Sequence, residues 1–212
     1  FAFFGQAGEL GTDAGHRLGR GLGAVVEQLD HVAGRGRHLG DARPHLSGPE
    51  HADGAAYRQG YFLGDGTGAG KGRQVAGIIM DQWSRGRRRH VWISKSAALL
   101  EDARRDWAAL GGLPIDIQPL ASWKLGTPIA MRDGILFVTY PTLRSSRNDA
   151  TRLDQILAWA GDDFDGVIVF DEAHAMANAA GGEGSRGKVK GSEQGITGVR
   201  LQNLLPRARV LY

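Results

Sequence analysis

Lys71 is the first lysine in the chain, and it comes after four alternating glycines, Gly64, Gly66, Gly68 and Gly70, in the stretch YFLGDGTGAGKGR (61–73). Glycines let successive backbone N–H groups curl around phosphate oxygens, and a lysine placed after them meets the β and γ phosphates of a nucleotide. A helical spacing of Val75, Ile78, Ile79 and Gln82 begins next, so a helix N-terminus adds its dipole to the same anion site. Two positions depart from the strict pattern G-x-x-x-x-G-K-[ST]. Asp65 stands at the first glycine, and Gly72 stands where a hydroxyl normally helps to hold magnesium. Taken alone, the stretch reads in two ways. It is an NTP site, with Gly66, Thr67, Gly68, Ala69, Gly70, Lys71, Gly72 and Arg73 around the phosphates, or it is a structural glycine turn.

A second stretch, GVIVFDEAH (166–174), is an apolar strand that ends in two acids. Asp171, at the carboxyl end of such a strand, holds Mg²⁺ through water, and Glu172 orients and deprotonates an attacking water. Acids also favour a helix N-terminus for its dipole, which explains each of them singly. That does not explain the pair lying about a hundred residues after a glycine-lysine loop. Together the two stretches point to an NTPase site with Lys71, Asp171 and Glu172 as its catalytic groups and with ATP and Mg²⁺ as its ligands.

The elements that must position these groups can be read from hydrophobic patterning. Short apolar runs rich in β-formers occur at 61–63, 90–94, 135–139, 167–170 and 208–212, with helical patterns over 70–83, 97–110, 151–160, 172–179 and 195–204. This alternation predicts an α/β fold, a parallel sheet with helices on both faces, and VIVF is apolar on both sides as such a sheet requires. A long polar, glycine-rich loop is expected over 179–195. The basic run RGRRRH (85–90) falls between the first helix and the second strand, at the sheet edge opposite the nucleotide, so it reads first as a solvated helix end and second as a nucleic-acid contact. Trp83, Trp92, Trp107 and Trp159 lie within periodic apolar segments and read as core.

Composition sets the bounds. The chain has 212 residues, no cysteine, 42% hydrophobic and 23% charged residues, and a formal net charge of +3 with a pI near 9.4. Disulfides and thiolate metal sites are excluded, and a basic protein of this kind accommodates nucleic acid as a partner. No apolar run approaches a membrane span of about 18 to 20 residues, so an intracellular, cytoplasmic location is expected. Residues 1–54 differ from the rest. They hold 12 of the 33 glycines, five of the seven histidines and no lysine. Their histidines show no metal-ligand spacing, and a flexible leader is expected there, with one helical stripe over 22–32, ahead of an NTPase domain over 55–212.

The tetrad Asp171-Glu172-Ala173-His174 is the motif of superfamily 2 helicases and related translocases, and the chain resembles them from about Tyr57 onward. More narrowly, it is similar to the strawberry notch family of helicase-like NTP hydrolases. The residues that carry the resemblance are FLGDGTGAGKGR (62–73), VWISKSAALLEDARRDW (91–107), ILFVTYPTL (135–143), FDGVIVFDEAH (164–174) and LQNLLPRARVLY (201–212). A glycine after the loop lysine is usual in that family, so the resemblance implies that Gly72 does not mark a dead enzyme; Thr67 or additional waters are then the expected help for Mg²⁺, beside Asp171. The resemblance further implies the first of two RecA-like domains, a truncated chain that lacks the second, and a role for His174 in coupling the nucleotide site to that facing domain. It also implies nucleic acid, DNA before RNA, along the carboxyl ends of the strands. Ser94, Lys95 and Ser96 on one strand end and Thr139 on another are the candidates there, and ordinary helix capping is the competing reading. A regulatory nucleotide-binding module without translocation, and a small-molecule P-loop enzyme, remain the alternatives.

Overall fold

HVWIS, an apolar run only one strand long, lies at the centre of a parallel sheet. In chain order the strands are β1 (Arg89–Ser94), β2 (Ile117–Pro119), β3 (Gly134–Thr139), β4 (Ser146–Arg147), β5 (Ala150–Thr151), β6 (Val167–Phe170), β7 (Gly182–Gly184), β8 (Gly187–Val189) and β9 (Arg209–Leu211). The helices are α1 (Lys71–Ser84), α2 (Leu99–Ala108), α3 (Tyr140–Leu143), α4 (Arg152–Ala160) and α5 (Glu193–Leu204). The computed structural model describes residues 60–64, 69–147, 150–176, 182–184, 187–189 and 192–212, all within the unit Arg43–Tyr212. The expected leader, with its helix over 22–32, lies outside the described residues. So do Gly66, Thr67 and Gly68 of the glycine loop and positions 177–179 of the helix expected over 172–179.

Five strands pair in the order β2-β3-β1-β6-β9, all parallel. Tyr61 adds a parallel bridge to Leu211, so the segment that leads into the glycine loop runs along the outer edge of β9. Side chains alternate between the faces, which is why these strands are apolar throughout. Val91, Ile93, Leu136, Val138, Ile168 and Phe170 pack in one core with α4 and α5 residues such as Leu153, Ile156 and Leu201. The opposite face carries Trp92, Phe137 and Val169 at the partner positions, under α1 and α2. α1 buries Val75, Ile78, Ile79 and Gln82, the i, i+3, i+4, i+7 stripe that its sequence shows. Trp92, Trp107 and Trp159 are core residues as expected.

Four elements differ from the patterning. The strand expected over 61–63 is only a single bridge at Tyr61. β2 has no sequence signature, because Ile117–Pro119 is three residues long and carries Gln118 and Pro119; it forms by adding to the free edge of β3, where a proline removes no needed donor. The expected helix over 172–179 is a single 3₁₀ turn, Ala173–Met176, within the described residues. The glycine-rich stretch after it contains the antiparallel pair β7/β8 in place of an unbroken loop.

The basic run is consumed locally. Arg85 pairs with Asp81 at 2.9 Å, Arg87 with Asp165 at 3.1 Å and Arg89 with Asp163 at 3.1 Å, while the Arg88 guanidinium lies 5.0 Å above the Trp83 ring. These arginines knit the amino ends of β1 and β6 to the helices, consistent with the first of the two readings. Among the described residues, no helix is long and apolar enough to cross a membrane.

His90 closes the same end of the sheet from inside. It is fully buried, its Nε2 lies 2.9 Å from the Arg87 carbonyl, and its Nδ1 accepts the Val167 N–H at 3.1 Å. That pair of partners fixes the neutral tautomer with the proton on Nε2. Burial lowers the imidazole from 6.5 to about 4, and the charges of Arg209, Arg87 and Arg88 add to the effect. The unfolded chain therefore takes up this proton below about pH 6.5 while the folded chain does not until about pH 4, so folded stability falls as pH drops through that window. The loss reaches roughly 3 kcal/mol at its lower end. In urea titrations, His90→Gln is expected to be less stable than wild type at neutral pH but to lose less stability between pH 7 and pH 4. Equal losses in the two proteins would show that His90 is not the titrating group.

Candidate functional site

Strand order reverses at β1: β3 is on one side of it, and β6 and β9 lie on the other. In open α/β sheets, ligands bind in the crevice beyond the strands' carboxyl ends at such a point. On the β6 side of that point, beyond the carboxyl ends of β6 and β9, is a cleft of about 560 Å³ whose lining includes Phe62, Gly64, Lys71, Asp171, Glu172 and His174. The loop lysine and the strand-end acids, far apart in sequence, thus face one cavity.

Lys71 is the first residue of α1, and Gly70 precedes it with φ 76°, a left-handed conformation that glycine adopts without strain. Gly70 has no side chain with which to cap this helix, whose N-terminus opens at the cleft through Lys71. Gly72 stands against α2. A Cβ at Gly72 would lie 2.4 Å from Asp106 Oδ2, and the same carboxylate accepts from Arg73 Nε at 3.2 Å through its other oxygen. Asp106 thus fills the space into which a side chain at position 72 would grow. Arg73, expected against phosphate, has its guanidinium engaged with α2.

Asp171 is held at three points. Its N–H donates to the Ile93 carbonyl at 2.8 Å, its carbonyl accepts from Tyr140 Oη at 3.0 Å, and its Oδ2 accepts from Ser94 Oγ at 2.8 Å. Burial keeps the Tyr140 phenol protonated and therefore a donor. Burial also raises the Asp171 carboxyl above its ordinary range; the Ser94 hydrogen bond opposes this, and the Glu172 charge reinforces it. The Trp92 indole N–H is directed at the same carboxylate without closing a hydrogen bond, and it too favours the charged form.

Glu172 is the one described non-glycine residue with positive φ, at 56°. A left-handed residue of this kind costs about 1–3 kcal/mol and is found where the surroundings impose it. Its effect is to break β6 off immediately after Asp171, with the Glu172 carbonyl accepting from Ala175 N–H at 2.9 Å to start the 3₁₀ turn. The Glu172 carboxylate is half-exposed, and its Oε2 lies 3.1 Å from His174 Nδ1.

The four strand-end candidates separate. Ser94 is completely buried and its hydroxyl is spent on Asp171, so it offers nothing to solvent. Thr139, its register partner on β3, caps α3 by accepting from Thr142 N–H at 3.3 Å, whereas Ser96, the residue expected as a cap, is not one, since Ala98 is the N-cap of α2 and no side chain caps it among the described residues. Lys95 and Ser96 are exposed on the turn beyond β1. Three further residues shape the site without a functional signature in the sequence. Trp92 reads there only as core, and Asp106 and Tyr140 lie within the stretches 91–107 and 135–143 without a role assigned to either. The one signal at β1 is a serine closing a strand otherwise apolar at its centre.

Among the described residues, no cluster of three or more metal-ligating side chains exists. One partly buried carboxylate beside a lysine fits Mg²⁺, which keeps most of its waters and takes its other ligands from phosphate. It does not fit a cation that needs an all-protein cage.

The geometry agrees with the chain's relatives. Residues 24–212 match the family described as P-loop containing NTP hydrolase pore-1. The chain is 42% identical over 164 residues to strawberry notch homolog 1 of Gallus gallus, an alignment that covers 73% of this chain and 13% of that protein. It is 39% identical over 166 residues to FORGETTER 1 of Arabidopsis thaliana (76% and 12%) and 38% identical over 165 residues to strawberry notch of Drosophila melanogaster (73% and 10%). The chain thus spans about an eighth or less of the length of the relatives it matches. A phosphate-loop lysine and a strand-end acid pair meeting in one cleft of a parallel sheet, within a match that runs through nearly the whole described fold, place this chain in the P-loop containing NTP hydrolase pore-1 family.

Proposed function

We propose that the cleft binds Mg·ATP and that the chain is the first motor domain of a helicase-like, nucleic-acid-stimulated ATP hydrolase. The observation that carries this reading is the convergence of Lys71, Asp171 and Glu172 on one cavity at the sheet's carboxyl edge. Lys71 and the N-terminus of α1 bind the β and γ phosphates, where a point cation and oriented N–H groups favour negative charge. Asp171 holds the hydrated cation, which when bound neutralises charge on the phosphate oxygens. Glu172 accepts a proton from the attacking water, with its carboxylate oriented through His174. Among the described lining residues Lys71 is the sole permanent cation. A second cation, which stabilises developing charge in related enzymes, comes in this reading from a facing domain. His174 is exposed beside Glu172, in position to report that domain's approach. Nucleic acid, DNA before RNA, tracks the same edge over Lys95 and Ser96.

Three outcomes test the assignment. Calorimetry is expected to find that Lys71→Ala abolishes nucleotide binding; unchanged affinity would remove the cleft from consideration. Glu172→Gln is expected to leave affinity nearly intact and, in a protein that includes the facing domain, to lower nucleic-acid-stimulated hydrolysis by about 10² or more. Full activity of that variant would exclude Glu172 as the base. Gly72→Ser, which restores the usual hydroxyl, is expected to bind nucleotide no better than wild type, because its Cβ displaces Asp106 from Arg73. A clear gain in affinity would mean that Asp106 yields freely.

A further inference from the structure

Ser94 and Trp92 sit two residues apart on β1, so both point to the same face of the sheet, and both meet Asp171 across the seam with β6. Each is buried, with Ser94 at 0% and Trp92 at 2% exposure. Ser94 Oγ donates to Asp171 Oδ2 at 2.8 Å. The Trp92 indole N–H, on the same face of the sheet and favouring the charged carboxylate, has no hydrogen-bond partner among the described residues. A buried donor left open is unfavourable, and that cost is removed if the site's occupation brings an acceptor to it.

Building on the cleft assigned above, we infer that Ser94 and Trp92 are the positioning residues of Asp171, with Ser94 supplying from β1 an orienting hydroxyl contact that Gly72 cannot supply. In P-loop enzymes of the common kind, the loop's own Ser or Thr shares the cation with the strand-end aspartate. Here Asp106 occupies the space beside Gly72, and the hydroxyl that reaches the aspartate comes from the neighbouring strand. Both donors are neutral, so the Ser94 hydrogen bond orients the carboxylate without cancelling the charge that attracts a cation. Ser94 takes one lone pair of Oδ2 and leaves the remaining acceptor capacity of the carboxylate for the cation's water shell. Trp92 supplies the open donor, which pairs when the carboxylate or a bound water shifts toward it. A donor on a central strand is also held more closely than one on a loop.

The test separates orientation of the cation site from mere support of the fold. The 212-residue chain is titrated with a non-hydrolysable ATP analogue by calorimetry, once with Mg²⁺ and once with EDTA, and the ratio of affinities measures the cation's contribution. Ser94→Ala and Trp92→Phe are each expected to lower that ratio about tenfold, the scale on which groups behind a metal ligand act, while affinity in EDTA stays at the wild-type value. Trp92→Phe keeps an aromatic ring and removes the N–H donor, so it carries the test if Ser94→Ala fails to fold. Asp171→Asn is the reference and is expected to bring the ratio close to one. If Asp171→Asn abolishes the Mg²⁺ effect while Ser94→Ala and Trp92→Phe retain it in full, the two donors serve the fold alone and the inference is overturned, with the cleft assignment standing. If Asp171→Asn leaves the Mg²⁺ effect intact, the cleft assignment fails and this inference falls with it.

Discussion

The seam between β1 and β6 is the constraint on which the candidate site depends. Val91, Trp92 and Ile93 pair with Ile168, Val169 and Phe170, and the ladder runs one step further, to the Asp171 N–H on the Ile93 carbonyl. At the opposite end, His90 accepts the Val167 N–H and ties the start of β6 to the start of β1. Asp171 therefore extends a strand pinned at both ends, and its carboxylate leaves the sheet along a direction set by the ladder. Glu172 has no such constraint. Its left-handed φ turns the chain away at once, so two adjacent acids receive different environments, one partly buried and hydrogen-bonded by a neutral donor, the other half-exposed beside an imidazole. Different environments are what separate the roles of neighbouring carboxylates.

Much of this is legible in the residues, and the failures share a physical form. The long apolar runs read as strands because a doubly covered sheet demands continuous apolarity. Lys71, Asp171 and Glu172 read as one site because their types and order fit phosphate chemistry. Ser94 reads as an outward contact because its place at a strand end is visible in the sequence but the neighbour across the sheet is not. Strand order, with β6 beside β1, is a long-range property that no local pattern encodes. The same holds for Gly72, whose meaning depends on Asp106 of α2 packing against it. β2 escapes notice because an edge strand of three residues borrows its order from β3. A 3₁₀ turn takes the place of the helix expected after Glu172 because a left-handed residue interrupts helical propagation at its first position.

Net charge is a weak guide to surface chemistry. The chain is basic overall, but the densest cluster of arginines lies at the amino edge, where Arg85, Arg87 and Arg89 are matched to acids and Arg88 to an aromatic ring. Surface pairs of this kind contribute about 0–1 kcal/mol each, so they matter less for stability than for cancelling charge at that edge. On the carboxyl edge Lys71 lines the cleft and Lys95 is exposed beyond β1, on the same side as the acids. The polarity of the domain is thus set by where cations stand relative to the cleft, not by where they are most numerous.

The bridge between Tyr61 and Leu211 joins segments far apart in the described chain, with the Tyr61 N–H on the Val210 carbonyl and the Leu63 N–H on the Tyr212 carbonyl. Contacts of such sequence separation form late, since the loop they close must first lose its entropy. The segment that leads into the glycine loop therefore gains its sheet edge only when β9 pairs with β6, and one closing step joins the two ends of the described fold.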